Sequence, residues 1–362
     1  MLPRRLFLAT PFALAACGGA EADPTGEATP EMRALLQGFL RRNGPEAGQA
    51  DPPRFRGQST LAQIAEAQHP GERHPMARHE ALEVPTPFGE TLPARLYLPE
   101  GLGERPPLVV FFGNGAWIGG SLDASEPLAK ALATEAGAML LSVQGRLAPE
   151  HRFPIAHEDA LSAWRWAVRQ SATLGFDPRR MAMAGEGSGA NLALATALAA
   201  RDQHLPRPVA LALGTPMIGA GGDTASMARY AKARPLDAEA ARRALRLVSR
   251  GPRDLQDARM DPARRATLAG LPRTLIVNAQ IDPLLDEGAA LETALVAAEV
   301  PVRRIVFPGV THGFLGCGAA LPEARLAQRE MGAELRAGFA AIRDPVPAPP
   351  VMANRNARVA RR

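Results

Sequence analysis

The chain has 362 residues, 46% of them hydrophobic, which is enough to bury one large core as a single α/β domain. Its formal net charge of +5 is carried at the two ends, because Arg4 and Arg5 supply two charges and residues 344–362 supply three. The part of the chain between the ends is neutral, which argues against nucleic-acid binding.

The first sixteen residues predict a lipoprotein signal peptide. Arg4 and Arg5 precede the apolar run 6–16, and Leu14-Ala15-Ala16-Cys17 resembles a bacterial lipobox. Cleavage before Cys17 and acylation of its sulfur would anchor the chain to a membrane. The arginine pair also resembles a twin-arginine export signal. We therefore expect an exported, periplasm-facing lipoprotein of the bacterial cell envelope; a plain cleaved signal peptide with an incidental cysteine is the alternative.

The rest of the chain divides into a tether, one domain and a tail. Residues 17–30 are small and acidic and predict the tether. Residues 31–343 predict the domain, with the helical patterns 32–42, 60–68 and 238–248 in two segments, about 31–75 and 217–252, that would form a cap. Residues 344–362 are proline-rich and then basic, which is typical of a disordered extension.

Short apolar runs alternate with helical patterns through the domain, which favours an α/β fold with a buried parallel sheet. Two runs, 81–84 and 94–98, predict opening antiparallel strands. The remaining predicted strands are 108–112, 138–143, 181–184, 209–213, 274–277 and 304–307. The remaining predicted helices are 157–170, 191–201, 287–298 and 323–342.

Five segments in this order resemble the motifs of the hormone-sensitive-lipase-like α/β-hydrolases. They are Phe112-Gly113-Asn114-Gly115-Ala116-Trp117, Arg146-Leu147-Ala148-Pro149-Glu150-His151-Arg152-Phe153-Pro154, Gly185-Glu186-Gly187-Ser188-Gly189, Asp282-Pro283-Leu284-Leu285-Asp286-Glu287-Gly288 and Pro308-Gly309-Val310-Thr311-His312-Gly313-Phe314. The resemblance implies an α/β-hydrolase fold: a mostly parallel eight-stranded sheet flanked by helices, with a helical cap. It also implies a carboxylic-ester-hydrolase site that needs no metal and no cofactor.

The resemblance assigns a role to two residues of this site. His312 would be the base and Asp282 the carboxylate that orients it, in the order elbow, acid, histidine that this fold requires. Taken alone, Asp282 is equally consistent with a helix N-cap. Asp286 is the weaker candidate for the acid. The oxyanion donors would be the backbone N–H groups of Gly115, Ala116 and Ser188.

The elbow departs from the family pattern at its tip. Gly185 and Gly189 fit the flanking positions of the G-x-S-x-G elbow, so residue 187, a glycine, takes the nucleophile's place. Ser188 is rotated about 100° from that position on the following helix and is a doubtful nucleophile. We expect it to bond to a free helix N–H instead. A glycine also suits the positive φ of an elbow tip.

Two functions follow. In the first, His312 and Asp282 remain but the nucleophile is displaced to Ser188, so that ester hydrolysis is weak or absent. In the second, a catalytically silent lipoprotein of the cell envelope uses the acyl pocket to bind a small ester, an apolar ligand or a partner. Cys317 is close to His312 in sequence, but a buried thiol is the simpler interpretation. His151 and His157 are expected to be structural or surface groups.

Overall fold

The computed structural model describes residues 24–45, 47, 50–71, 73–219 and 222–342. Its eight strands form one sheet in the order β1-β2-β4-β3-β5-β6-β7-β8. The strands are β1 Met76–Pro85, β2 Thr91–Pro99, β3 Leu108–Phe112, β4 Met139–Val143, β5 Met181–Glu186, β6 Ala210–Gly214, β7 Arg273–Ile281 and β8 Val302–Thr311. β2 is antiparallel to both of its neighbours, and the other pairs are parallel. The predicted eight-stranded, mostly parallel sheet is confirmed.

Helices cover both faces of this sheet. They are α1 Pro30–Asn43, α2 Pro52–Arg56, α3 Leu61–Gln68, α4 Leu122–Ala136, α5 Ile155–Arg169, α6 Ser171–Leu174, α7 Ser188–Asp202, α8 Ala225–Arg229, α9 Ala238–Val248, α10 Pro262–Arg265, α11 Leu285–Ala297 and α12 Pro322–Ala340. Among the described helices, none has the length and apolar character needed to cross a bilayer.

The central strand β3 shows how the sheet divides the core. Every residue of β3 is buried, as the continuous apolar run predicts. Because side chains alternate along a strand, Val110 packs with the layer that contains α5 and α7, whereas Val109 and Phe111 pack with the layer that contains α4 and α12. The side chains of one strand therefore contribute to the core on both faces of the sheet.

Helix α4 was not among the predicted helices. Pro127 lies inside it and interrupts the helical pattern in the sequence. Both ends nevertheless carry cap signals: the Ser121 side chain accepts a hydrogen bond from the N–H of Ala124, and Gly137 is left-handed, with φ 59°. The caps mark the helix more reliably than its interior does.

The segment after β6 is attached to the loop that follows β7. The Ser226 hydroxyl donates to the carbonyl of Pro283 at 2.8 Å, and its N–H donates to Asp286 Oδ2 at 2.8 Å. The Glu287 carboxylate accepts from the N–H groups of Ile218 and Gly219. Burial raises the pKa of Glu287 to about 8, against these two hydrogen bonds.

The predicted signal peptide with Cys17 and the predicted tail lie outside the described residues. The division into tether, domain, cap and tail stays a prediction.

Candidate active site

The turn between β5 and α7 has the geometry of a nucleophile elbow with glycine at its tip. Gly187 has φ 58° and ψ −121° and directly precedes α7. A Cβ added to Gly185 would overlap the backbone of Gly189, and one added to Gly189 would overlap the carbonyl oxygen of Phe112. The flanking glycines are therefore required by close backbone approach, and residue 187 is the tip.

His312 and Asp282 come together where two parallel strands end. Asp282 directly follows β7 and His312 directly follows β8. His312 Nδ1 lies 2.9 Å from Asp282 Oδ2, and both side chains are buried. Asp282 Oδ1 also accepts from the N–H of Leu284 at 2.8 Å. Burial alone would lower the pKa of His312, but the carboxylates of Asp282, Glu186 and Glu287, Asp282 foremost, together outweigh burial and raise it.

Asn114 occupies the space in front of the His312 imidazole. Its Nδ2 lies 3.0 Å from His312 Nε2, and its Oδ1 accepts from the N–H of Gly115 at 2.7 Å. A Cβ added to Gly187 would overlap the Asn114 amide. The amide therefore fills the volume into which a side chain at position 187 would project. In the sequence Asn114 is only one residue of the segment Phe112 to Trp117, and nothing there predicts its contact with His312, 198 residues away.

Ser188 and His312 form no hydrogen bond with each other in the described structure. Ser188 Oγ is buried and accepts from the N–H of Trp117 at 3.2 Å. This corrects the expectation that the hydroxyl would bond to a helix N–H. The reason is that the loop after β3 passes close to the first turn of α7 and presents its own N–H. Ser188 therefore joins the elbow to this loop.

The expected oxyanion donors lie in that loop and at the start of α7. The N–H of Gly115 is already bonded to Asn114 Oδ1, so it is not available while Asn114 keeps this position. Ala116 has φ 50° and Trp117 has φ 61°, which are unusual values for residues with side chains. Strained backbone of this kind is often found where amides are held for a ligand.

A cavity of about 300 Å³ opens onto His312 and Asn114. One part of its wall is apolar and includes Phe39, Phe55, Leu61, Ile118, Met217 and Leu236. Its residues come from α1, α2, α3 and α9 as well as from the loops at the end of the sheet. The cavity therefore has the concave, mainly apolar character of a small-molecule site.

Glu186 is the acidic residue that lines this cavity. It is the last residue of β5, its side chain is buried, and its Oε1 has no hydrogen-bond partner among the described residues. Burial raises its pKa to about 7, His312 opposes this and Asp282 adds to it. In the sequence Glu186 is only the second residue of the elbow motif, and the motif gives no sign of this environment.

The other titratable candidates have structural surroundings. His157 Nε2 lies 2.8 Å from Asn191 Oδ1, and burial lowers the pKa of His157 to about 4. His151 is exposed. Cys317 is buried, and burial raises the pKa of its thiol well above its usual range. These environments agree with the structural interpretation of all three residues.

Comparison with known proteins identifies the family. Residues 109–316 match the family model described as the alpha/beta hydrolase fold. The chain is 36% identical to an ethyl acetate hydrolase of Pseudomonas putida over 67% of this chain and 77% of that protein. It is 34% identical to the carboxylesterase NlhH of Mycobacterium tuberculosis over 73% and 83% of the two chains. An esterase structure from Pyrobaculum calidifontis superimposes with a TM-score of 0.77 at 31% identity, covering 86% of this chain and 98% of the other. The sheet, the elbow and these matches agree, and the chain belongs to the hormone-sensitive-lipase-like α/β-hydrolases.

Proposed function

We propose that the protein binds small carboxylic esters in the cavity at His312 and that it hydrolyses them weakly or not at all. The observation that carries this proposal is the relationship between Gly187 and Asn114. The elbow tip has no side chain, and the Asn114 amide occupies the space that a nucleophile would need. The names of the similar proteins, an ethyl acetate hydrolase and a carboxylesterase, support small esters as the ligand class.

Two features of the site support retained binding. His312 and Asp282 keep a hydrogen-bonded base and acid, and the cavity beside them has apolar walls. None of the residues that the structure describes directs a hydroxyl at His312 Nε2, where the Asn114 amide lies instead. In a well-studied serine hydrolase, removal of the serine lowers the rate by roughly a million-fold, and about a thousand-fold over water remains. The family's fold alone does not restore that loss.

The test is to rebuild the nucleophile and measure turnover of p-nitrophenyl acetate by the full chain. The variant Gly187→Ser alone is expected to stay nearly inactive, because its side chain would meet the Asn114 amide. The double variant Asn114→Gly with Gly187→Ser clears that space. We expect it to hydrolyse the ester at least about a thousand-fold faster than the wild type.

Two controls decide the result. Adding His312→Ala to the double variant must remove the gained activity, and Asn114→Gly alone must not produce it. If the wild type instead turns the ester over as fast as the double variant, and loses that activity on His312→Ala, the proposal is overturned. Ser188→Ala would then show whether Ser188 is the nucleophile.

A further inference from the structure

Glu186 is a buried acid that the ester site as described does not use. It is 8% exposed and lines the cavity together with His312 and Asn114, and within the described part of the chain its Oε1 has no hydrogen-bond partner. Burying a carboxylate without a partner is costly, and such groups are commonly paired with a cation. The structure therefore needs either a proton on Glu186 or a positive charge supplied to it.

The bond between Asn114 and His312 leaves the imidazole beside Glu186 without a positive charge. Asn114 Oδ1 accepts from the N–H of Gly115, so the other end of the amide, Nδ2, faces His312. A donor at Nδ2 requires an acceptor at His312 Nε2, which makes the imidazole neutral, with its proton on Nδ1 toward Asp282. In this arrangement His312 carries no charge that could neutralise Glu186; an imidazolium, which the raised pKa of His312 favours, would oppose the charge of Glu186 only by giving up the bond to Asn114 Nδ2.

Arg56 is the basic residue of the described cavity wall, and its guanidinium is engaged elsewhere. It forms a two-pronged ion pair with Glu150 and donates to the carbonyls of Ala148 and Ile118. Asp282 adds a second negative charge close to Glu186. The end of the cavity nearest the elbow is therefore negative. Elsewhere the wall of the same cavity includes the rings of Phe39 and Phe55.

We propose that this cavity selects esters that carry a cationic nitrogen, with the Glu186 carboxylate as the counter-ion. The inference rests on the proposed ester site and adds its preferred ligand. A quaternary ammonium group suits the surroundings, because it needs no hydrogen-bond partner and is stabilised both by a carboxylate and by aromatic faces. A carboxyl group that only fills space, held permanently protonated, would give no preference for charge.

The test uses two esters of the same shape that differ in charge. Acetylcholine carries the cation, and 3,3-dimethylbutyl acetate has a carbon atom in place of the nitrogen. Their dissociation constants are measured by calorimetry on the full chain at pH 8 and low salt. We expect acetylcholine to bind about 10-fold more tightly to the wild type. If the wild type turns the esters over, the ratio of kcat/KM for the pair is compared instead.

The variants isolate the carboxylate. Glu186→Gln keeps the shape, and Glu186→Ala removes the side chain; in both, the two esters should bind within about twofold of each other. Glu66→Gln is the matched control. Glu66 and Glu186 are both acids that raise the pKa of the Cys317 thiol, but Glu66 is not among the described residues of the cavity wall. The Glu66→Gln variant should therefore keep the full preference for acetylcholine. Melting curves confirm that each variant is folded.

The outcomes separate the two proposals. Equal binding of both esters by the wild type, or a preference that survives in both Glu186 variants, overturns the cation inference and leaves the ester site intact. Binding of neither ester overturns both proposals together. A preference that is lost in the Glu186 variants, with the neutral ester still bound, supports both.

Discussion

Asn114 and Gly187 share one space in front of the His312 imidazole. The Asn114 amide bonds to His312 Nε2 and to the N–H of Gly115, and a Cβ at residue 187 would overlap it. The two residues are therefore coupled: a side chain at 187 needs Asn114 to move, and Asn114 can stay only because residue 187 has no side chain.

This coupling predicts a non-additive stability cycle. Gly187→Ala places a Cβ at φ 58° and against the amide, so we expect unfolding free energy to fall by about 1–3 kcal/mol from backbone strain and by more from the overlap. In the Asn114→Gly background the overlap is absent and only the strain remains. Urea denaturation of the wild type, both single variants and the double variant measures the coupling.

A matched control for that cycle is Gly175→Ala. Gly175 also has a positive φ, 85°, but a Cβ there would meet nothing within 4 Å. Its cost should be the same in the presence and in the absence of Asn114. If the cost of Gly187→Ala were likewise independent of Asn114, the shared space would not be real.

Ser188 gives a second prediction, because its hydroxyl has a structural partner. Ser188→Ala removes the acceptor for the buried N–H of Trp117, and we expect a loss of about 1 kcal/mol or somewhat more in unfolding free energy. Ester turnover by the Asn114→Gly, Gly187→Ser double variant should change little, because Oγ of Ser188 is not directed at His312. Stability is measured by urea denaturation and turnover with p-nitrophenyl acetate. A loss of that turnover as large as the one caused by His312→Ala would contradict this assignment.

The sequence predicted the sheet more reliably than the site. β3 was predicted with the bounds it has, because a wholly buried strand is a continuous apolar run with turn residues after it. α9 was predicted with its observed bounds too. α4 was not, because Pro127 breaks the helical pattern while the information lies in the caps at Ser121 and Gly137.

The site shows where a sequence pattern stops being informative. The motifs located Asp282 and His312, since loops that follow parallel strands meet at one edge of the sheet. They could not indicate that Asn114 fills the space at Gly187. That contact joins two residues 73 positions apart and depends on the conformation of the Asn114 side chain. The unpaired state of Glu186 was equally hidden, since burial and missing partners are properties of the packed molecule.

Cys317 should be inert to thiol reagents in the folded protein. It is fully buried, and burial raises the pKa of its thiol, with Glu186 acting in the same direction, so both access and thiolate formation are suppressed. With Cys17→Ser in place, one thiol remains to be counted. Ellman's reagent should detect it only after denaturation. Rapid labelling of the native protein at pH 8 would show that the loop after His312 opens readily.

Glu186 predicts how stability depends on pH. Its pKa is about 7 in the folded protein, against 4.5 for the free side chain, so the folded protein holds a proton that the unfolded chain has released between these values. Stability is therefore unaffected by Glu186 below about pH 4, falls as pH rises from about 4.5 to 7, and stays reduced above pH 7. The full cost is on the order of 3 kcal/mol.

Glu186→Gln should remove this cost, so that the variant is more stable than the wild type at pH 8 and equal to it at pH 4. Glu150→Gln is the control of opposite sign, because its ion pair with Arg56 lowers the pKa of Glu150 to about 2, and losing that carboxylate should slightly destabilise the protein near neutral pH. Urea denaturation of the three proteins at pH 4, 6 and 8 measures both effects. An equal gain for Glu186→Gln at every pH would mean that packing, rather than the buried charge, is responsible.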